Sequence, residues 1–235
     1  MSAVLAIASK PPLAIAEDQF TVGVAQGSDK ASVLAKLRRH LAEVAPMRPL
    51  PVGLPTGVSA LEAVTGGWPN PGVALIQGPV GTGRLAPVLP ALARLTTAGR
   101  TVAVVDSGGI LHPPGLPGVC LDNLLLVRPG ATRVLWAAEQ LARSDVIPLV
   151  VVLDPPSLGR QSVRLQRAAE AGTTAVIVIT EIAQRRLPAA LHLQTGRRGP
   201  GHVQLLRGGR GSSSERWLTL DPRPGPPEAR RAFPF

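Results

Sequence analysis

Five short apolar runs, separated by segments of mixed polarity, organise the middle of this chain. The runs cover residues 73–77, 101–105, 123–127, 149–153 and 175–180. Continuous apolar runs of this length are typical of parallel strands that are covered by helices on both faces. Residues 131–143 and 161–171 carry apolar positions at helical spacing, and a further helical stretch is expected from residue 84 to about residue 97. The pattern predicts an α/β fold with a mostly parallel central sheet flanked by helices.

The pattern changes after residue 180. Short alternating runs at 190–195, 202–206 and 217–220 are separated by turns that are rich in glycine and arginine. This alternation predicts a short antiparallel C-terminal extension of the sheet. The last stretch, 221–235, is rich in proline and is expected to be disordered.

An amphipathic helix is predicted ahead of the core, over residues 30–44. Leu34, Leu37 and Leu41 share its apolar face, and several prolines then predict a stiff linker. The helix docks either on its own core or on a neighbouring molecule. We therefore divide the chain into five parts: a loose leader (1–28), the helix and proline-rich linker (29–54), the core (55–182), the arginine-rich extension (183–220) and the tail (221–235).

The net charge of +10 comes almost entirely from arginine and is concentrated after residue 185. Candidate contacts to a partner in this region are Arg185, Arg186, Arg197, Arg198, Arg207 and Arg210. They suit DNA phosphates, an acidic protein partner or simple solvation. Because the chain has 3% aromatic residues and no tyrosine, a dedicated single-strand binder is disfavoured.

The number of cysteines and the hydropathy of the chain indicate its cellular compartment. The chain has one cysteine, which excludes an internal disulfide and suits a reducing interior. No apolar run approaches the roughly 18 residues needed to span a bilayer. We expect a cytoplasmic protein with no membrane contact.

A glycine-rich loop follows the first strand and carries the candidate chemistry. Gly78, Gly81 and Gly83 match the glycine frame of a phosphate-binding loop. The lysine and hydroxyl positions of that motif hold Arg84 and Leu85, respectively. Leucine cannot bind magnesium, and the wide arginine fork is a poor substitute for a compact ammonium. We expect no hydrolysis, no cofactor and no metal, although backbone N–H groups could still bind phosphate weakly.

Two prolines lie shortly after this loop. Pro87 and Pro90 would be the fourth and seventh residues of a helix that began at Arg84. An interior proline removes a hydrogen bond and strains a helix by roughly 3 kcal/mol. This arrangement further disfavours a phosphate site.

The order of these features resembles the ATPase core of RecA over about residues 55–182. The segments that carry the resemblance are 55–62, 66–69, 72–76, 104–106, 119–125, 150–154 and 178–181. Within the RecA superfamily, the chain most resembles the ImuA family. That resemblance implies a role in SOS-induced translesion synthesis beside the polymerase-like protein ImuB, RecA and, indirectly, an error-prone replicative-type polymerase.

The chain departs from RecA at its catalytic positions. Gly108 stands where the resemblance places the catalytic glutamate, and the segments after Asp154 and Glu181 are too short for the two DNA-binding loops of RecA. Asp154 would be the magnesium partner in an active relative. We expect it to pair with Arg84 instead.

We therefore predict a non-catalytic RecA-like adaptor of the translesion synthesis complex, which binds ImuB, RecA or both. One alternative is a cell-division inhibitor resembling SulA, and another is a weak DNA-stimulated ATPase. DNA contact stays open.

Overall fold

Eight strands form one sheet in the part of the chain described by the computed structural model, which is residues 53–159, 161–181, 187–196, 198, 201–209 and 216–220. The strands are β1 (Gly72–Gln77), β2 (Val102–Asp106), β3 (Leu124–Val127), β4 (Leu149–Leu153), β5 (Ala175–Thr180), β6 (Leu191–Thr195), β7 (His202–Arg207) and β8 (Arg216–Thr219). Their order across the sheet is β3-β2-β4-β5-β1-β6-β7-β8. The predicted α/β fold with a mostly parallel sheet is confirmed.

Four α-helices cover the two faces of this sheet in the described residues. They are α1 (Ser59–Thr65), α2 (Leu89–Thr97), α3 (Val134–Ala142) and α4 (Gln161–Ala171). Short 3-10 turns occupy Pro113–Gly115, Leu121–Asn123 and Ala131–Arg133. One apolar core lies between the sheet and α1 and α2, and a second lies between the sheet and α3 and α4. Because β1, β2, β4 and β5 are covered on both faces, their sequences are apolar except at the strand ends.

Helix α1 was not predicted from periodicity, because it is short and buries only Leu61 and Val64. Its first turn is stabilised by Thr56, whose backbone N–H and hydroxyl both donate to the Glu62 carboxylate at 2.9 Å. Gly66, with a φ of 75°, ends the helix in the left-handed conformation that glycine tolerates. The Thr56–Glu62 contact and the glycine at the C-terminal end therefore define an element that the hydrophobic pattern does not reveal.

The expectation of a helix starting directly at Arg84 was wrong. Residues 84–88 form turns, and α2 begins at Leu89. Pro87 therefore lies ahead of the helix, and Pro90 occupies its second position, where a missing N–H removes no helical hydrogen bond. The prolines delay the helix and do not strain its interior.

The predicted antiparallel C-terminal extension is confirmed, because β6–β7 and β7–β8 pair in antiparallel fashion. The sequence did not indicate how the extension joins the core: β6 lies parallel to β1. The extension is therefore hydrogen-bonded to the strand that leads into the glycine loop. The predicted leader, the helix at 30–44 and the tail lie outside the described residues.

No helix among the described residues is long and apolar enough to cross a membrane.

Candidate functional site

The carboxyl ends of four parallel strands bring the predicted site residues together. β1 runs into the glycine loop, residues 78–85, while β2 ends at Asp106, β4 is followed by Asp154 and β5 is followed by Glu181. In open α/β sheets, ligands bind at this end of the strands. Any ligand chemistry of this sheet is therefore expected here.

Arg84 and Asp154 form a bidentate ion pair in this site. Arg84 Nη1 donates to Asp154 Oδ1 at 2.6 Å, and Arg84 Nη2 donates to Asp154 Oδ2 at 2.8 Å. The Arg84 side chain is 8% exposed and that of Asp154 is 36% exposed. Parallel contacts between the two forks are the strongest geometry available to this pair. The expected pairing of the two side chains is confirmed.

The backbone holds Asp154 in place for this contact. Its φ of 40° lies in the left-handed region, and its N–H donates to Ile179 O at 2.8 Å. The Glu181 N–H donates to Asp154 Oδ1 at 3.2 Å. The carboxylate thus accepts from two guanidinium nitrogens and one backbone amide, so its negative charge is balanced locally.

Leu85, at the motif's hydroxyl position, packs against the apolar core between the sheet and α1 and α2. The following turns are closed by Ala86 N donating to Gly83 O at 2.9 Å and Val88 N donating to Leu85 O at 2.9 Å. An aliphatic side chain offers no lone pair to a magnesium ion. This part of the loop therefore contributes to the core.

The start of the glycine loop is packed tightly against the end of β6. A Cβ atom on Gly78 would lie 2.2 Å from Thr195 Oγ1, and one on Gly196 would lie 2.9 Å from Thr82 Cγ2. The hydroxyl oxygens of Thr82 and Thr195 are 3.1 Å apart. Gly81 has a φ of 82°, so the loop also needs glycine for its conformation.

Asp106 organises the loop after β2. It is fully buried and accepts hydrogen bonds from Ile110 N at 3.1 Å and Leu111 N at 3.0 Å. Arg128 Nε lies 3.7 Å from Asp106 Oδ2, and Arg128 Nη2 donates to Leu111 O at 3.0 Å. Gly108, which replaces the expected glutamate, is an exposed residue of this loop. No carboxylate occupies that position.

The predicted arginines are only partly within the described residues. Arg198 lies over the ring of Trp217, 4.6 Å from its centroid, so this aromatic face is already covered by a cation. Arg207 is exposed at the end of β7, opposite His192. The remaining candidates lie outside the described residues: Leu34, Leu37, Leu41, Arg185, Arg186, Arg197 and Arg210.

The described residues contain no candidate metal-binding cluster. No group of three or more His, Cys, Asp or Glu side chains there is arranged to hold an ion.

Comparison with known proteins identifies the arrangement. The chain is 33% identical to RecA of Picosynechococcus sp. over 103 residues and 37% identical to RecA of Acinetobacter baylyi over 110 residues. These matches cover 42% and 40% of this chain but only 30% and 32% of the two relatives. Among solved structures, the RadB recombinase is similar with a TM-score of 0.58 and 21% identity, covering 71% of this chain and 95% of that one. This chain has a RecA-like core.

The chain spans about a third of the length of the curated relatives that it matches. No protein-family model matches it. The RecA-like core is therefore supported both by sequence and by fold, while the finer resemblance to the ImuA family remains a proposal.

Sequence reasoning missed two features of the site. The contact between Thr82 and Thr195 joins residues 113 positions apart, and no local pattern predicts it. The buried role of Asp106 was also missed, although an aspartate that ends an apolar run and is followed by Ser107, Gly108 and Gly109 is a recognisable signal for a loop held by side-chain hydrogen bonds.

Proposed function

We propose that this chain is a non-catalytic RecA-like adaptor that binds an ImuB-type polymerase-like protein, RecA or both during SOS-induced translesion synthesis. The RecA-like core supplies a rigid platform in this proposal. Binding, and not nucleotide turnover, is its activity.

The single observation that carries the proposal is the ion pair between Arg84 and Asp154. In a phosphate-binding loop of this type, the residue at position 84 reaches the phosphates and the strand-end aspartate helps to hold magnesium. Here the two side chains neutralise each other at 2.6 and 2.8 Å. A nucleotide would have to separate a bidentate pair whose arginine is buried, and Leu85 would offer the metal no ligand. The residues present therefore do not fit a magnesium nucleotide.

The loop after β2 supports the same proposal. Its carboxylate, Asp106, is fully buried and is engaged with two backbone amides and Arg128. Position 108 supplies no general base, because it is glycine. A water molecule at the site would have no side chain there to activate it.

Calorimetry on the full chain tests the absence of nucleotide chemistry. We expect no heat of binding with ATP and Mg²⁺, and no phosphate release with or without single-stranded DNA. DNA-stimulated turnover would favour the weak ATPase instead.

Co-purification tests the adaptor role. The full chain is expected to retain an ImuB-type protein or RecA, and a variant with Leu34→Asp, Leu37→Asp and Leu41→Asp is expected to lose that partner if the apolar helix face makes the contact. Retention of a tubulin-like division protein, with neither ImuB nor RecA bound, would instead support a SulA-like inhibitor. Charge reversal of Arg94 and Arg100, which are exposed at and after α2, provides a control for nonspecific loss of binding.

A further inference from the structure

The outer surface of α3 and α4 carries an exposed tryptophan that has no role in the site described above. Trp136 is 59% exposed, whereas Trp68 is fully buried and the ring of Trp217 is covered by Arg198. The whole chain contains three tryptophans, three phenylalanines and no tyrosine. In such a chain, a tryptophan directed to solvent marks a surface that gains from being covered.

The two helices form a continuous surface around this residue. Each helix connects two parallel strands of the sheet, β3 to β4 and β4 to β5, so α3 and α4 run in the same direction. Both pack on the same core, and Glu139 of α3 joins them. Its carboxylate lies 3.0 Å from Arg143 Nη2 and 2.9 Å from Arg164 Nη2. The guanidinium groups of Arg143, just after α3, and of Arg164, on α4, are thus held at one carboxylate.

Apolar and basic side chains are interleaved on this surface. Trp136 precedes Glu139 by one helical turn, and Val163 on α4 is 49% exposed. Arg133 lies one turn before Trp136, and Arg167 lies one turn after Val163; both are exposed. The acidic side chains nearest in sequence either have partners already or lie at a helix end. Glu139 is 6% exposed and pairs with the two arginines, and Glu170 accepts a hydrogen bond from Gln166 near the end of α4. Asp145 follows the end of α3.

We propose that this surface, formed by Trp136, Val163, Arg133, Arg143, Arg164 and Arg167, binds an acidic amphipathic helix of a partner protein. Trp136 and Val163 supply the apolar contacts to one face of that helix. The four arginines pair with acidic residues at the edges of the incoming helix. This surface includes neither Arg84 nor Asp154, and the inference goes beyond the adaptor proposal and does not depend on it.

The composition of the surface favours a protein over a nucleic acid. Glu139 already neutralises part of the charge of Arg143 and Arg164, which lowers the attraction to phosphates. Single-strand sites stack successive bases on aromatic rings, whereas Val163 offers no ring for a second base. The pairing of one aromatic with one aliphatic residue suits the apolar stripe of a helix.

Fluorescence anisotropy with defined peptides tests this inference on the full chain. The probe is a labelled helical peptide with leucine on one face and glutamate on the other, and its counterpart carries lysine in place of glutamate. The glutamate peptide is expected to bind and the lysine peptide is not, and added salt is expected to weaken binding. Trp136→Ala should weaken binding by about tenfold or more, as is typical for a tryptophan that becomes buried in an interface.

Matched variants separate a specific surface from general effects. The double variant Arg133→Glu and Arg167→Glu should weaken the glutamate peptide and strengthen the lysine peptide. Val146→Ala, at a residue that is 68% exposed beyond the end of α3, should leave both unchanged. Unchanged thermal unfolding of Trp136→Ala would show that the exposed substitution leaves the fold intact.

Three results would overturn the inference. The first is equal binding of the two peptides or no effect of Trp136→Ala. The second is Trp136-dependent binding of a single-stranded oligonucleotide without binding of the glutamate peptide. The third is self-association of the chain that Trp136→Ala abolishes, which would show that the surface binds a second copy.

Discussion

Thr82 and Thr195 are hydrogen-bonded through their hydroxyl groups, whose oxygens lie 3.1 Å apart. Thr82 Oγ1 donates its only proton to Pro79 O at 2.7 Å, so Thr195 is the donor to Thr82. The chain Thr195–Thr82–Pro79 fixes the glycine loop to the end of β6. The loop is therefore held by the same strand that begins the arginine-rich extension.

The substitutions Thr82→Val and Thr195→Val are each expected to lower the free energy of unfolding, and their effects are expected to be coupled. Thr195→Val removes one hydrogen bond, while Thr82→Val removes two, so each variant should lose about 0.5–1.5 kcal/mol per bond in the free energy of unfolding. Because one bond is shared, the double variant should lose less than the sum of the single losses. Urea unfolding of all four proteins measures this coupling. Strict additivity would show that the hydroxyl contact contributes nothing.

Gly78→Ala is expected to destabilise the protein by about 1–3 kcal/mol or more, as for an overpacked site. The new Cβ atom would lie 2.2 Å from Thr195 Oγ1 and 2.9 Å from Thr195 O, so loop and strand must separate. Thr195→Ala in the same chain should relieve part of the loss, since it removes the nearer atom. Gly130→Ala is the control, because a Cβ there meets nothing within 4 Å. Thermal unfolding compares the three.

Removing the carboxylate of Asp154 should cost about 1–3 kcal/mol, because the buried Arg84 guanidinium loses its partner. Asp154→Ala and Asp154→Asn both test this loss. Asp122→Asn provides the matched control at an exposed aspartate. Chemical unfolding gives the free energies; equal values for wild type and Asp154→Ala would mean that Arg84 finds another partner.

Stability is expected to fall as the pH drops below about 6.5 because of His192. Burial, and secondly the charge of Arg207, lower the pKa of His192 from its usual value of 6.5. The unfolded state therefore binds more protons than the folded state as the pH falls through this range, and stability decreases until the folded-state pKa has been passed. Above about pH 6.5, this contribution to stability is fully present.

The pH effect has two controls. His192→Gln should remove the His192-dependent part of the decline, and Arg207→Gln should reduce it by allowing the histidine to protonate more easily. Unfolding free energies measured from pH 5 to pH 8 compare the three proteins. A wild-type profile identical to that of His192→Gln would contradict the prediction.

The strands of the central sheet can be predicted from the sequence because their burial determines the residue types within each strand. A strand covered on both faces must be apolar throughout, so β1, β2, β4 and β5 are recognisable from runs such as residues 149–153. The pairing of Arg84 with Asp154 could also be predicted. The RecA resemblance places Arg84 and Asp154 at one end of the sheet, and a buried guanidinium is expected to pair with the nearest carboxylate.

The missed features depend on contacts that are distant in sequence. Parallel pairing of β6 with β1 is not apparent from the alternation of residues 191–195, because a half-covered parallel strand has the same pattern as an antiparallel one. Helix α2 begins only at Leu89, because the turns at 84–88 place Pro87 ahead of the helix and Pro90 at its second position. The exposure of Trp136 is likewise set by which face of α3 the sheet covers.

The parallel pairing of β6 with β1 has a practical consequence for mapping partners. Deleting the chain from about residue 187 onward would strip β1 of its neighbour along residues 74–77 and leave the glycine loop without Thr195. If such a truncated chain failed to bind a partner, the cause could equally be a damaged sheet or a missing contact residue. Single substitutions at solvent-facing arginines, which leave the ladder intact, are the sound way to assign binding to this half of the molecule.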